Sequence, residues 1–206
     1  MERNRLASLW YLLCVGLSSI GHAQQPDGGV RRALLSLDEF KYEGWTQSHE
    51  IATRVGAGRR QTDETRRARK VGGVSVIRVF RSDPESREEF SSCITPFATS
   101  ADAQSFYPKV PSRIIYKPFG RYELLSKESY YDDLIEELPH ALVHQVLYEI
   151  SNGPRFSTLV GGAVGRYTVD LRFHRPDAPW PPEEMRAFGT AQALKMRNML
   201  SIDAAV

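Results

Sequence analysis

The sequence predicts an α+β fold: a single domain on a mostly antiparallel, twisted sheet of about six strands, with helices packed on one face. Three observations predict it. Several short segments alternate apolar and polar residues, turn residues separate them at hairpin spacing, and a segment of helical period closes the chain.

The N-terminus reads MERNRLASLWYLLCVGLSSIGHAQQ. Arg3 and Arg5 form a basic start, Leu6 to Ile20 is an apolar run of 15 residues without a charge, and Gly21-His22-Ala23 places small residues where a signal peptidase reads. That order predicts a secretory signal over residues 1–23, cut after Ala23. The run is short of the roughly 20 residues that span a bilayer, and no later segment is long and apolar enough to be transmembrane. The expected location is periplasmic or secreted. Residues 24–33, polar and glycine-rich, are expected as a flexible lead-in, and residues 34–206 as one α+β domain.

GWTQSHEIATRV, residues 44–55, places Trp45, His49, Ile51, Thr53 and Val55 on one face, with Gln47 among them, which predicts a half-buried strand. GGVSVIRVF, 72–80, is rich in β-branched residues and predicts a second. Between them lies an arginine-rich loop, 56–70. From Arg54 to Lys70 there are seven basic residues and two acidic ones. Prolines through 82–111 predict only short regular structure there. SRIIYK (112–117) and RYELLS (121–126) predict two strands joined across Pro118-Phe119-Gly120.

SKESYYDDLIEEL begins with Ser126 as its N-cap and predicts a helix. Pro139 then kinks it or starts a second helix over ELPHALVHQVLYEI, which ends at Gly153-Pro154. RFSTLVGGAVGRYTVDLRFHRP predicts strand, tight turn at Gly161-Gly162, and strand. On the second of these strands Tyr167, Val169, Leu171 and Phe173 face one way, and Arg166, Thr168, Asp170, Arg172 and His174 the other. The closing helix opens at Pro181-Pro182 and carries a stripe of Met185, Phe188, Met196 and Met199 with Gln192 in its middle. The stripe reads as core, because methionine fills irregular gaps.

Composition limits the functions. Net charge is +2, and loss of Glu2, Arg3 and Arg5 with the signal leaves +1. No global field draws the chain to nucleic acid, and an exported protein does not meet it. After cleavage Cys93 is the one remaining cysteine, so no internal disulfide forms. The thiol is buried, paired with another chain, or reactive.

Two groups of residues carry chemistry. On the predicted helix His140 and His144 are one turn apart at the edge of an apolar arc, and with His174 as a distant third ligand they would bind a divalent metal. A zincin helix would carry glutamate directly after the first histidine, where this chain has Ala141. The second group is polar: Arg59, Arg60, Arg66, Arg67, Arg69 and Lys70 in the loop, and Asp170 and Arg172 on the alternating strand. These would contact an anionic ligand, a lipid headgroup or an envelope protein. No motif fixes a catalytic residue, and none requires a cofactor.

The expected function is a non-enzymatic, exported ligand- or protein-binding module of a bacterial cell envelope. Two alternatives stand beside it: a small exported metal-assisted enzyme using His140 and His144, and an inhibitor or immunity-type protein that occludes a partner in the same compartment.

Overall fold

The computed structural model describes residues 28–39, 44–54, 74–82, 88–106, 123–132, 135–150, 153–176 and 178–200. The expected signal, the arginine-rich loop with Arg59, Arg60, Arg66, Arg67, Arg69 and Lys70, and the strand expected at 112–117 lie outside them.

Seven antiparallel strands form one open sheet: β1 (Thr46–Arg54), β2 (Val74–Arg81), β3 (Glu89–Pro96), β4 (Glu123–Asp132), β5 (Ala141–Ile150), β6 (Gly153–Val164) and β7 (Tyr167–Arg175). Their order across the sheet is β1-β2-β3-β7-β6-β5-β4. The helices are α1 (Gly28–Ala33), a 3-10 turn at Leu37–Glu39, α2 (Ser100–Gln104) and α3 (Pro182–Met199). The α+β fold is as the sequence predicts, with seven strands in place of six.

β3 and β5 are the strands the sequence does not predict. β4 extends the strand expected at 121–126 into the expected helix, and within 126–150 the described residues form the rest of β4, a turn over 135–140, and β5, with no helix among them. An interior strand meets neighbours on both faces, so its apolar residues run nearly continuously and imitate a helix pattern. ALVHQVLYEI does this: Leu142, His144, Val146 and Tyr148 are buried on one face, Ala141 and Val143 on the other. Pro139 belongs to the turn, not to a kink. β3 is a central strand where the prolines predict little structure. Its Ser91 and Ser92 are buried, and its proline, Pro96, stands at its end.

Gly161 and Gly162 lie inside β6, and the hairpin turns instead at Gly165, whose φ is +56°. Gly162 has a different reason to be small. A Cβ there would come within 3.2 Å of Leu138 Cβ, where the 135–140 turn folds over the sheet. Gly189 on α3 receives the other end of that turn, because a Cβ at 189 would overlap Ile135.

One face of the sheet carries the core. Phe80, Phe90, Ile94, Val160, Val169, Leu171 and Phe173 meet α1 and α3 there. Phe188 of α3 stacks on Phe90 at 4.8 Å, and Trp180 meets Trp45 edge-on at 5.9 Å. A bulge between Gln47 and His49 separates Trp45 from the alternation that follows it. Met185, Phe188 and Met196 are buried as the stripe requires, while Met199 is exposed.

The lead-in is not loose from Gly28 onward. Val30, Ala33, Leu34 and Leu35 are buried, and two side chains tie the segment down. Arg78 donates to the carbonyls of Arg31 (3.2 Å), Leu34 (3.1 Å) and Leu35 (2.6 Å) at the end of α1, and it also pairs with Glu50 at 2.6 Å. Gln192 accepts from the Leu35 N–H (3.1 Å) and the Ser92 hydroxyl (2.8 Å), and donates to the Ala33 carbonyl (2.6 Å). It is fully buried, so removing it strands three polar groups. Gln192→Leu should lower the unfolding free energy by about 3 kcal/mol in urea titration, against well under about 1 kcal/mol for Asn198→Leu at an exposed position of the same helix.

Candidate functional site

The face turned away from α1 and α3 is where chemistry-bearing side chains collect. Register aligns them in rungs across the strands. One rung runs Arg81, Glu89, His174, Ser157, Val146, Lys127. The next runs His49, Val79, Ser91, Arg172, Leu159, His144, Ser129. A third places Cys93 beside Asp170. Arg155 faces Tyr148 at the end nearer the first rung.

This face mixes polar side chains with buried Val79, Leu142, Val146 and Leu159, and it is sheltered. Ser157, Thr168, His144 and His174 are buried, and Asp170, Arg172 and Arg155 are half-buried. The sequence expectation for β7 therefore holds in its alternation, since Tyr167, Val169, Leu171 and Phe173 are all buried on the core side. Its opposite face is not simply wet.

Each histidine on this face is held toward its neutral form. Burial, with Arg172 and Arg155 beside it, brings His174 down to about 3. Burial also lowers His144, helped by Lys127 and opposed by the backbone carbonyl of Glu128. His49 is lowered by burial and then by Arg81. Tyr148 is pushed well up by burial, against the pull of Arg155 and with the push of Glu89. The nearby ion pair Arg81–Glu89 closes at 2.9 Å.

The histidines expected as ligands do not converge. His140 sits exposed in the 135–140 turn, at a φ of +55°. His144 and His174 share a face but stand two strands and one rung apart, roughly 12 Å between backbones. The Nδ1 of His144 is bonded to the Ser129 hydroxyl at 2.5 Å, and its Nε2 is buried without a hydrogen-bond partner among the described residues. No group of three or more His, Cys, Asp and Glu placed to hold a metal occurs among the described residues. The metal expectation rests on helical spacing of His140 and His144, and that spacing is lost once the segment is a turn and a strand.

Asp170 and Arg172 share this face with residues that sequence reasoning missed: Glu89, Ser157, Arg155 and Tyr148. Alternation is visible in each strand, but only strand order and register put these residues on one face. Cys93 is half-buried on the same face, its sulfur 3.2 Å from the Ser75 hydroxyl.

Histidine burial has a pH consequence. His174 binds its proton in the unfolded chain near 6.5 and in the folded chain only near 3. Its contribution is therefore complete above pH 6.5 and is lost as pH falls from there toward 3, at about 1.4 kcal/mol per pH unit. His174→Gln should flatten the stability profile between about pH 6.5 and 4 in urea titrations at successive pH values. An unchanged slope would show that the imidazole takes up its proton equally in the folded and unfolded states.

No family model matches the chain, and no curated protein matches it. Among solved structures it is similar to the extracellular domain of PknH from Mycobacterium tuberculosis, with a TM-score of 0.54 and 9% identity over 85% of this chain and 100% of that one. It also resembles an uncharacterised protein from Mycobacterium smegmatis, with a TM-score of 0.43 and 10% identity over 78% of this chain and 93% of that one. The first likeness is one of fold alone.

Proposed function

We propose that this protein is an exported, non-catalytic binding module of the cell envelope, and that the sheet face bearing Asp170 and Arg172 is its contact surface. The observation that carries this is the row of sheltered polar and charged side chains on the face turned away from the helices. Polar groups kept there cost stability relative to apolar ones, a cost that contact with a polar partner offsets. Three further facts support the reading. The leader has the order of a secretory signal. Among the described residues no helix is long and apolar enough to cross a membrane. The fold is shared with a domain that is extracellular in its own protein. The arginine-rich loop, with Arg59, Arg60, Arg66, Arg67, Arg69 and Lys70, would add a second, salt-sensitive contact for an anionic ligand or headgroup.

The test is comparative capture from an envelope extract. Wild-type protein should retain a defined ligand or partner that an Asp170→Asn, Arg172→Gln double variant loses by about tenfold or more, with far-ultraviolet spectra unchanged. Identical retention by both proteins would remove this face as the contact surface. Sequencing of the exported protein should begin at Gln24.

A further inference from the structure

We propose that β4 is a docking edge for a partner protein, one that adds an extended strand whose basic residues fall on the helix side of the sheet and whose apolar residues fall on the other. β4 is the last strand on its side of the described sheet, and among the described residues nothing pairs with its outer N–H and C=O groups. Every described side chain from Glu123 to Ser129 is exposed, on both faces. Two of them, Leu124 at 47% and Leu125 at 46%, are among the few large apolar residues left in water.

The chemistry of the occupant follows from a bulge. Pairing with β5 shifts between Leu124 and Ser126. Glu123, Ser126 and Glu128 therefore stand on the helix side, facing Glu149, Leu147 and Gln145, while Leu124 and Lys127 stand on the other, facing Tyr148 and Val146. Glu123 and Glu149 oppose each other directly, which costs free energy in any ladder. Among the described residues neither they nor Glu128 are ion-paired. A neighbouring strand with lysine or arginine on that side would relieve the repulsion, and apolar residues on its other side would cover Leu124. This is strand addition with a fixed alternation.

A second copy of the chain does not fit. Two β4 strands related by a two-fold axis oppose residues of the same face, and the bulge puts Lys127 on the face opposite to Glu123 and Glu128. Each glutamate would then meet glutamate or serine, never the lysine.

The probe is a short synthetic peptide alternating lysine and valine, added to the purified chain. Amide hydrogen exchange should slow along β4 and stay unchanged in β6 and β7, which already pair on both sides. A Glu123→Lys, Glu128→Lys double variant should weaken this peptide by about tenfold and favour its glutamate–valine counterpart. N-methylation of alternate backbone nitrogens in the peptide should abolish binding. The proposal is overturned if the peptide leaves β4 exchange unchanged, if the N-methylated form binds equally well, if charge reversal has no effect, or if the peptide instead drives the chain to dimerise.

Discussion

The amide of Gln192 is the point through which three separate parts of the chain are joined. It lies at the centre of α3, fully buried, and bonds the backbone at both Ala33 and Leu35 and the hydroxyl of Ser92 on β3. An amide in an apolar layer is tolerated only when its lone pairs and protons are met. Meeting them fixes the rotation of α3, the seat of α1 and the depth of β3 together. Arg78 acts similarly from the sheet side, its guanidinium taking carbonyls of α1 while Glu50 neutralises it. Residues 28–33 are thus part of the fold, and a domain boundary placed at residue 34 would cut through its core.

With α1 and α3 committed to one face, the other face is left to side chains that need not be apolar. That division organises the molecule. The core side holds stacked aromatics and methionines, and the far side holds the Arg81–Glu89 pair, the neutral histidines, and Asp170 and Arg172. A histidine kept neutral beside two guanidiniums does not act as a charged binding group near neutral pH, and it is a poor base. The charged work of this face therefore falls to the arginines and carboxylates, which suits recognition better than proton transfer.

What can be read from the sequence depends on how many faces an element buries. The alternation of β7 and the period of α3 are legible because each carries a continuous apolar stripe, Tyr167, Val169, Leu171 and Phe173 on β7 and Met185, Phe188 and Met196 on α3. β5 buries both sides, so LVHQVLYEI resembles a helix and lends His140 and His144 a spacing they do not have. β6 carries two glycines that look like a turn; Gly162 is there because Leu138 presses on it. β3 is hidden by serines whose hydroxyls are placed by α3 and by neighbouring strands. Of the polar face, the alternating β7 residues Thr168, Asp170, Arg172 and His174 are visible in advance, while the remainder is assembled by register across strands distant in sequence.

Both edges of the sheet, β1 and β4, carry a bulge. A bulge increases local twist and interrupts the regular ladder, which discourages indiscriminate pairing between exposed edges. On β1 the bulge separates Trp45, turned to the core, from His49, turned to the polar face. On β4 it sorts charge: both glutamates go to one side of the edge and the lysine to the other. The same residues in an unbulged strand would mix the signs on each face by simple alternation, and Glu123 would share a side with Lys127. One extra residue at Leu125 therefore converts a generic open edge into one with a defined sidedness, and sidedness is what an incoming strand has to match.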